Sequence, residues 1–493
     1  MDRLEAKALD CGVTYLDKLS TAGKRRRAQS AIKQQPGPHQ ALSMPDEDGG
    51  VALLDLSEDN LAIAFAAARA GHLLYDHSRG KWLTWDGARW KVEETRLAFD
   101  WVRKLCRKMN VQGAQKWAKA STFSAVEMIA RSDRKFARTI DQFDTDPWLL
   151  ASPGGVVDLR TGALNPASPD LMITKSTAVA PAAQGMLPRQ WLAFLGQATR
   201  GDRDLIRFLQ QVAGYALTGV TVEQMLVFIF GPGGNGKGVF INTLLRVLGD
   251  YAQAADMQVF TASRNDRHPT ELAALRGARL VVASETERDR AWAESRIKQL
   301  TGGDRIRARF MHQDEFEFEP QFQLVIVGNH KPRLRAVDDA MRRRLNIVNF
   351  MHRPQVKNLN LEAELRDEWP AILRWMIDGC LDWQRNGLVR PQVVIDANTE
   401  YFGEQDLLQS WIEECCEQGP RHEDAAANLF ASWTAYTKRA GEEPGTQTAF
   451  GSELGRAGFS QRRGTGGRRL WTGLQLKPKA AQSDPRSPGE WDQ

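Results

Sequence analysis

The residues best suited to chemistry form a glycine-rich loop that ends in a lysine. Glycines allow a backbone to wrap around phosphate groups and to aim its N–H groups at them from the start of a helix. A lysine at the end of such a loop reaches the β- and γ-phosphates of a nucleotide. The spacing G-x-x-x-x-G-K therefore predicts ATP binding by Gly231, Pro232, Gly233, Gly234, Asn235, Gly236, Lys237 and Gly238.

The last position of this loop departs from its usual form. A serine or threonine normally follows the lysine and holds Mg²⁺, whereas this chain has Gly238. Glycine has no side-chain oxygen, so water or another side chain must complete the coordination of the metal. The predicted cofactors are ATP and Mg²⁺, with one direct metal ligand missing.

Apolar segments on both sides of the loop indicate the elements that hold it. Residues 225–230 are a continuous apolar run, which is typical of a parallel strand buried on both faces. Residues 239–248 have the pattern of an amphipathic helix, and Gly249 ends it. The order strand, glycine loop, helix predicts an α/β fold with a parallel sheet.

Two glutamates follow a second apolar strand, residues 279–283. The carboxyl ends of parallel strands form the edge at which open α/β sheets bind ligands, so Glu285 and Glu287 are expected beside the phosphates. Glu285 is the preferred candidate to hold Mg²⁺ through water and to polarise the attacking water, and Glu287 is the second. The alternative is that both residues only cap the next helix.

Polar residues after a third strand, residues 324–327, complete the predicted catalytic set. Asn329 is placed to touch the γ-phosphate or the attacking water. Farther along the chain, Arg343 or Arg344 is predicted to reach an ATP bound in a neighbouring subunit. An arginine there stabilises the charge of the phosphoryl-transfer transition state. A solvated basic face is the alternative for this arginine run.

Alternating arginines between the second and third strands indicate a β-hairpin. Residues 304–310 carry arginines with a period of two, and residues 316–319 continue that period after a turn near residues 311–314. An ordinary solvated hairpin would have the same pattern.

The order of these motifs resembles that of the superfamily 3 DNA helicases. It is most similar to the phage and plasmid primase–helicase branch, which is related to the poxvirus replicative helicase. The resemblance extends from about residue 55 to residue 476, and residues 146–148 and 158–162 resemble the domain that precedes the helicase in that family. The motifs that carry it are the glycine loop, Glu285, residues 298–304, Arg309, residues 329–332 and Arg343-Arg344.

This resemblance implies an ATP-driven ring, expected to be a homohexamer, that unwinds DNA during replication of a phage, plasmid or integrated mobile element in the cytoplasm of a bacterial host. The predicted hairpin would project into the ring channel and grip the backbone of the DNA. Its candidates for phosphate contacts are Arg305, Arg307 and His312, whereas Arg309 is a candidate for the ATP site. Lys298 matches the lysine of the family and serves either the nucleotide or the DNA.

Many members of this family also carry an N-terminal primase domain. Only a short tail precedes the helicase-associated region here, so primer synthesis is not expected. A separate primase or host replication proteins are therefore candidate partners, besides single- and double-stranded DNA.

Helical patterns followed by a basic, glycine-tipped hairpin predict a C-terminal winged helix. The helix near residues 448–456 would enter a DNA groove, and the wing would contact phosphates. The wing residues are Arg462, Arg463, Arg468 and Arg469. Winged helices also bind proteins, so a protein partner is the alternative.

The predicted organisation has six parts around an AAA+-like phosphate-loop ATPase core. A mixed α+β helicase-associated domain precedes the core, and a helical segment and the winged helix follow it. The parts are a disordered or linker tail (1–50), the helicase-associated domain (51–190), the ATPase core (191–355), the helical closure of the core (356–405), the winged helix (406–476) and a disordered tail (477–493).

Two patterns in the helicase-associated part allow chemistry but favour structure. Trp82, Trp85 and Trp90 alternate along a predicted antiparallel meander and could stack on bases, although such tryptophans more often form a core. Asp144 and Asp146 have the spacing of a two-metal carboxylate pair, although acidic residues at a turn explain them better.

Composition excludes several classes of protein. The chain has 493 residues, of which 42% are hydrophobic and 26% charged, a balance typical of globular domains. No apolar run approaches the roughly 20 residues of a membrane span, so no membrane partner is predicted. Five scattered cysteines do not support a disulfide framework. The net charge of +5 is uninformative as a total, but the clustering of the arginines argues for DNA.

The leading interpretation is an ATP-dependent replicative DNA helicase. An alternative is an origin-binding replication initiator, in which nucleotide binding switches assembly and little unwinding occurs. A third is a phosphate-loop ATPase that remodels proteins, against which the arginine hairpin and the basic wing argue.

Overall fold

The computed structural model describes residues 41–45, 51–55, 57–109, 117–261, 270–284, 292–311, 314–332, 334, 338–405, 407–440, 443–464 and 468–478. Most of both predicted tails lies outside these residues. Within the predicted N-terminal tail, however, strand β1 (Ala41–Pro45) pairs antiparallel with β2 (Val51–Asp55). The N-terminal tail prediction therefore needs correction at residues 41–45, where the backbone is extended and paired.

The first part of the chain is a mixed unit of helices and short sheets. Ser57 caps its first helix, since its hydroxyl accepts a hydrogen bond from the amide of Asn60 at 3.1 Å. The helices are α1 (Glu58–Arg69), α2 (Leu97–Met109) and α3 (Ala120–Ala130). The strands are β3 (Leu73–Asp76), β4 (Lys81–Trp85), β5 (Trp90–Val92), β6 (Ala137–Arg138), β7 (Leu149–Ser152), β8 (Gly155–Asp158) and β9 (Ala163–Asn165).

These strands form two sheets. The order in the first is β5-β4-β3-β6, and β3, β4 and β5 are the predicted antiparallel meander. The second sheet is the antiparallel series β7-β8-β9. Leu150, Val157 and Leu159 belong to the same hydrophobic cluster as the central sheet, so this second sheet packs on the core of the molecule.

The central sheet has five parallel strands in the order β11-β12-β15-β10-β16, which confirms the predicted parallel α/β sheet. Its strands are β10 (Leu226–Phe230), β11 (Ala252–Ala255), β12 (Leu280–Ser284), β15 (Gln323–Gly328) and β16 (Leu345–Asn349). The continuous apolar runs of β10 and β15 are almost wholly buried, as expected for strands covered on both faces.

Helices and one hairpin surround this sheet. The hairpin β13 (Ile306–Ala308) and β14 (Phe316–Phe318) is antiparallel, as the period-two pattern predicts. The helices are α4 (Arg189–Ala198), α5 (Arg203–Tyr215), α6 (Lys237–Leu248), α7 (Thr270–Ala274), α8 (Glu294–Gly302), α9 (Asp339–Arg344), α10 (Leu361–Glu364), α11 (Trp369–Asn386) and α12 (Gln392–Gln405).

Helix α11 crosses α5 at a pair of glycines. A Cβ on Gly214 would lie 2.1 Å from the amide nitrogen of Cys380, and a Cβ on Gly379 would lie 2.2 Å from the carbonyl oxygen of Gln210. Only residues without a side chain allow the two backbones to approach this closely. Arg207 and Asp382 join the same two helices by two hydrogen bonds of 2.8 and 2.9 Å.

The last part has a hydrophobic core of its own, which includes Trp411, Trp433, Phe450 and Leu474. Its three-stranded antiparallel sheet has the order β17-β19-β18. Its elements are α13 (Leu407–Cys415), β17 (Cys416–Ala425), α14 (Ala426–Arg439), α15 (Gln447–Arg456), β18 (Ser460–Arg463) and β19 (Arg469–Leu476). None of the helices in the described ranges has the length and apolar character needed to cross a membrane.

Candidate nucleotide site and basic surfaces

The glycine-rich loop connects the buried strand β10 to the first residue of α6. Gly233, Gly234 and Gly236 have φ angles of +83°, +68° and +88°, which side-chain-bearing residues rarely adopt. A Cβ on Gly231 would lie 2.0 Å from the side-chain nitrogen of Asn235 and 2.1 Å from the carbonyl oxygen of Phe350. The glycines at these positions therefore allow a tight turn whose amides lie at the N-terminus of a helix.

Lys237 lies buried inside this turn. Its ammonium group donates to the carbonyl of Gly231 at 2.5 Å and to the side-chain oxygens of Asn235 and Asn329, both at 3.1 Å. Burial lowers the pKa of Lys237, and the positive charge of Arg353 lowers it further. All three described acceptors are neutral, so the positive charge is solvated by dipoles without being neutralised.

The sheet order brings the predicted strand ends together. Strand β15 lies between β12 and β10, so Asn329, directly after β15, reaches Lys237 in the glycine loop. The sequence predicted that Asn329 touches the γ-phosphate or the attacking water, and the structure places its side chain beside Lys237. Strand β12 ends at Ser284 beside β15. Glu285 and Glu287 follow Ser284 in the sequence and lie outside the described residues.

Residues after β16, which the sequence patterns did not single out, also reach the glycine loop. The guanidinium of Arg353 donates to the carbonyl oxygens of Pro232 and Gly233 at 2.5 and 2.9 Å. The ammonium of Lys357 lies 3.3 Å from the position that a Cβ on Gly234 would occupy. Neither residue belongs to a periodic pattern, so only the path of the chain after β16 reveals their position.

A cavity of about 730 Å³ opens beside the loop. This volume lies within the usual range of roughly 300–1,000 Å³ for small-molecule sites. Gly234, Asn235 and Gly236 form one wall of the cavity, and Phe194 and Trp369 line it elsewhere. The site therefore combines room for a nucleoside with backbone amides and cations for its phosphates, so the residues present fit ATP.

The described residues provide fewer groups that could bind a metal ion than groups that could bind a nucleotide. They contain no group of three or more histidine, cysteine, aspartate or glutamate side chains arranged to hold one. Nothing lies within 4 Å of the position that a Cβ on Gly238 would take, so packing does not forbid a hydroxyl there. The side-chain oxygen of Asn349, at the end of the strand beside β10, is buried without a hydrogen-bond partner in the described structure.

The arginine run of α9 lies at the opposite edge of the central sheet. Leu345 pairs with Leu226 at the start of the strands, whereas the glycine loop follows Phe230, which pairs with Asn349. Five residues of strand separate the two edges by about 16 Å. The arginines of one chain are therefore remote from the glycine loop of the same chain.

Arg343 and Arg344 differ in their surroundings. Arg344 is buried, and its guanidinium donates to the side chains of Thr301 and Gln224 at 3.2 and 3.0 Å. Arg343 is exposed, and its Nε donates to the carbonyl of Asp339 at 3.3 Å, the one hydrogen bond of this side chain among the described residues. Of the two predicted intersubunit arginines, Arg343 is the one whose side chain can reach another molecule without breaking buried hydrogen bonds.

Lys298 is held by the cap of the arginine helix. Its ammonium donates to Asp338, whose other oxygen caps α9 by accepting from the amide of Met341 at 2.9 Å. Burial acts to raise the pKa of Asp338, but the bonds from Lys298 and Met341 outweigh it and hold that pKa below its ordinary value. Within the described part of the chain, the ammonium of Lys298 therefore contacts the cap of α9 and not the glycine loop.

In the central hairpin, β13–β14, two of the arginines are paired with glutamates of the same hairpin. Arg305 pairs with Glu319 at 3.2 Å, and Arg307 lies 3.8 Å from Glu315 and 3.6 Å from Glu317. Each of these side chains is at least half exposed. Arg309 is exposed as well, and His312 lies outside the described residues.

The terminal hairpin, β18–β19, has a different charge pattern. Arg462 donates to Glu423 on the neighbouring part of the sheet. Arg463 lies directly opposite Arg469, and Arg468 comes next to it in the chain. These three arginines are exposed and have no carboxylate partner among the described residues.

Comparison with known families accounts for the first part of the chain. The sequence profile of the family described as D5 N terminal like matches residues 62–200. The chain carries a D5 N terminal like domain. A second profile, described as a family of unknown function (DUF5906), matches residues 229–344, which include the glycine loop and α9.

Curated relatives of the chain come from large DNA viruses. It is 24% identical over 304 residues to a putative helicase of Acanthamoeba polyphaga mimivirus, with 57% of this chain and 31% of the relative covered. It is 26% identical over 260 residues to a putative helicase of Frog virus 3 (isolate Goorha), with 48% and 27% covered. It is 24% identical over 241 residues to a putative primase of African swine fever virus (isolate Tick/Malawi/Lil 20-1/1983), with 44% and 25% covered.

The chain therefore spans about a third or less of the length of these relatives. Among solved structures, it is similar to the apo form of the NrS-1 C terminal region. That comparison has a TM-score of 0.47 and 11% identity, and it covers 82% of this chain and 96% of the other.

In the D5 N terminal like domain, the tryptophans of the antiparallel meander pack as core residues. Trp82 and Trp90 are buried, and their indole N–H groups donate to Glu127 and to the carbonyl of Pro169. Trp85 is half-buried, with its ring 5.6 Å from that of Trp90. The meander therefore presents no row of exposed rings for stacking on bases.

The carboxylate pair of this domain serves structure as well. Asp144 accepts hydrogen bonds from the amide and the hydroxyl of Thr174, the first at 2.8 Å. Asp146 accepts from Arg160 at 3.0 Å and from the amide of Trp148 at 2.9 Å. The carboxylates of Asp144 and Asp146 in the D5 N terminal like domain thus accept hydrogen bonds from their own chain. This agrees with their interpretation as turn residues.

Proposed function

We propose that this chain is an ATP-dependent replicative DNA helicase that acts as a ring-shaped oligomer, expected to be a hexamer, on DNA. The observation that carries the proposal is the convergence of the glycine loop, the buried Lys237 and Asn329 at one edge of the parallel sheet. The matching viral relatives bear helicase and primase names, which agrees with this activity. The proposed setting is replication of a phage, plasmid or integrated mobile element.

In the proposed site, the glycine-loop amides and Lys237 bind the phosphates of ATP, and the cavity beside the loop holds the nucleoside. Asn329 lies beside Lys237, where it can orient the γ-phosphate or the attacking water. Glu285 and Glu287 remain the proposed acidic residues for polarising that water, and Glu285 would hold Mg²⁺ through water. When bound, Mg²⁺ would neutralise part of the phosphate charge.

Arg343 is the proposed arginine that acts on the ATP of a neighbouring subunit. Its exposure and its distance from the glycine loop of its own chain support this role, whereas Arg344 is held by buried hydrogen bonds. A ring would bring the arginine edge of one sheet against the loop edge of the next.

The proposed DNA contacts come from the two arginine hairpins. The helix–strand order of residues 407–476 supports a winged helix, with α15 entering a groove and β18–β19 as the wing. An origin-binding initiator with little unwinding activity is the second candidate, because this unit has its own core and three arginines that have no acidic partner among the residues the structure describes.

The first experiment measures ATP hydrolysis with and without single-stranded DNA, together with unwinding of a forked duplex. We expect hydrolysis that DNA stimulates, and we expect Lys237→Ala to abolish it because the phosphates lose their buried cation. Lys135→Ala, which removes an exposed lysine of the first domain, is the matched control and should behave as the wild type. Hydrolysis indifferent to DNA, combined with no unwinding, would contradict the helicase proposal and favour the initiator.

The second experiment mixes two inactive variants. Arg343→Ala is expected to bind ATP normally and to lose hydrolysis by roughly a thousandfold. A mixture of Arg343→Ala with Lys237→Ala should regain part of the activity, because some interfaces then pair an intact Lys237 with an intact Arg343. If the mixture stays as inactive as its components, Arg343 does not act across a subunit interface.

A further inference from the structure

Three positive charges surround the glycine loop, and only one of them belongs to the loop itself. Lys237 lies inside the turn, Arg353 contacts the carbonyls of Pro232 and Gly233, and the ammonium of Lys357 lies close to Gly234. Arg353 and Lys357 come from the segment that follows β16. The side of the loop that these two residues contact is called its outer face.

No carboxylate in the described part of the chain neutralises any of these three groups. The described hydrogen bonds of Lys237 and Arg353 go to carbonyl and amide oxygens, and no ion pair involving Lys357 occurs among the described residues. Glu362, which lines the neighbouring cavity, is engaged by Arg246 at 3.1 Å and by Asn242 at 3.0 Å. Like charges this close repel one another, so the arrangement calls for an anion.

The lining of the cavity beside these cations indicates which chemical class of anion would bind. The segment that carries Arg353 and Lys357 also lines the cavity, as do the loop glycines and the aromatic ring of Phe194. The ring of Phe194 lies 2.6 Å from the position that a Cβ on Gly236 would take, so an apolar wall touches the phosphate-binding turn. A ligand with an aromatic base at one end and several phosphates at the other matches this combination of surfaces.

The missing hydroxyl at position 238 strengthens the case for side-chain cations. A serine or threonine there would bring a metal ion to the phosphates, and Gly238 cannot do so directly. More of the negative charge of the phosphates must then be balanced by lysine and arginine. The chain supplies two such groups at the outer face of the loop.

We propose that Arg353 and Lys357 bind the polyphosphate of a nucleoside triphosphate from the outer face of the glycine loop, together with Lys237. On nucleotide binding, the guanidinium of Arg353 exchanges the carbonyls of Pro232 and Gly233 for phosphate oxygens. This inference rests on the proposed ATP site and adds two ligand-binding residues to it.

The test compares the affinities of ATP, ADP and AMP for the full chain by calorimetry in the presence of Mg²⁺. Arg353→Gln and Lys357→Gln remove the charges while keeping a polar side chain of similar length. We expect each to weaken ATP binding about tenfold, the loss of one charge-assisted interaction, with a smaller effect on ADP and the smallest on AMP. Arg353→Lys, which keeps the charge, should retain most of the ATP affinity.

Arg385→Gln is the matched control. Arg385 is an exposed arginine that donates to the main-chain carbonyl of Leu381 at 3.0 Å, as Arg353 does to the loop, but Arg385 has no described contact with the glycine loop. Its nucleotide affinities should equal those of the wild type. An equal loss for ATP, ADP and AMP in the Arg353 and Lys357 variants would reveal a structural role and overturn the inference.

Failure of this inference can be told apart from failure of the ATP site. If the wild type binds none of the three nucleotides, the proposed site itself is wrong. If Lys237→Ala weakens ATP binding while Arg353→Gln and Lys357→Gln leave it unchanged, the site stands and the outer cations do not belong to it.

Discussion

The central and terminal hairpins look alike in sequence and differ in electrostatics. Both concentrate arginines in a short antiparallel strand pair. The arginines alternate along the central hairpin, whereas the terminal hairpin has two adjacent pairs, Arg462-Arg463 and Arg468-Arg469. In the central hairpin, the strand opposite the arginines carries glutamates, and Arg307 lies directly across from Glu317. In the terminal hairpin, Arg463 faces Arg469.

This difference shows that the partner strand determines what an arginine strand can do. Opposite charges across a strand pair stabilise it, whereas like charges directly opposite destabilise it. Repulsion between Arg463 and Arg469 should therefore destabilise the terminal hairpin locally. A bound phosphate backbone would offset this repulsion, because the anion would lie near both arginines. In the central hairpin, Arg305 and Arg307 are already paired with glutamates, so contact with DNA would require these exposed ion pairs to break.

Among the variants that test this difference between the hairpins, we expect the largest effect from reversing charges in the terminal hairpin. We expect Arg468→Glu with Arg469→Glu to weaken binding to duplex DNA by roughly tenfold or more. Removing two phosphate contacts should also reduce the salt slope of the binding constant by about 2. Fluorescence anisotropy of a labelled duplex, repeated over a range of salt concentrations, measures both quantities.

The control for that experiment reverses one arginine elsewhere in the same unit, so half of the change in net charge is made away from the hairpin. Arg421→Glu alters an exposed residue of β17, the opposite edge strand of the three-stranded sheet. It should change the salt slope much less than the hairpin variant does. Equal slopes for both variants would mean that the terminal hairpin has no direct phosphate contacts, and the unit would then be better explained as a protein-binding module.

A smaller effect should follow from releasing an arginine of the central hairpin. Glu317→Gln removes the carboxylate opposite Arg307 while keeping the shape of the side chain. Because exposed ion pairs contribute little, we expect affinity for single-stranded DNA to rise only about two- to threefold. The same measurement on Asp59→Asn, which neutralises an exposed carboxylate of α1, controls for net charge.

A double variant makes this test specific to Arg307. In an Arg307→Gln background, Glu317→Gln should no longer increase the affinity, because there is no arginine left to release. If the gain persists in that background, it comes from general repulsion between glutamates and DNA, and Arg307 is not a DNA contact.

Strand ends could be predicted from the sequence, and cross-strand and long-range partners could not. The runs of β10 and β15 are apolar because both faces are buried, and parallel strands end at a common edge. Asn329 was therefore expected at the phosphates that the glycine loop would bind, and its side chain lies beside Lys237. Alternation along residues 304–310 defines a face but not the residues across from it. The glutamates opposite Arg305 and Arg307 therefore required the register of the hairpin.

Two other features of the site depend on packing that no local pattern records. Arg344 belongs to the same basic run as Arg343, yet it turns inward toward Thr301 and Gln224, which are 43 and 120 residues away in sequence. Arg353 and Lys357 follow β16 in an irregular segment. Arg353 donates to Gly233 of the glycine loop although the two residues are 120 positions apart in sequence. Their positions depend on the path of the chain after Phe350, whose carbonyl contacts Asn235.

The smallest expected effect concerns the stability of the terminal hairpin itself. Arg463→Glu would place a carboxylate opposite Arg469 and convert a repulsive pair into an attractive one. We expect the local free energy of unfolding of β18–β19 to rise by about 0.2–1 kcal/mol at low salt, as for other cross-strand ion pairs. Hydrogen exchange of the β19 amides measures this quantity without requiring the whole chain to unfold in one step.

Salt separates this explanation from simple changes in packing. The stabilisation by Arg463→Glu should shrink as ionic strength rises, because both side chains are exposed and screened. Arg463→Gln, which removes the repulsion without adding attraction, should give an intermediate value. If exchange from β19 is unchanged or faster in Arg463→Glu at low salt, the two arginines do not strain the hairpin. The contrast with the central hairpin would then lie in DNA contacts alone and not in the stability of the strand pair.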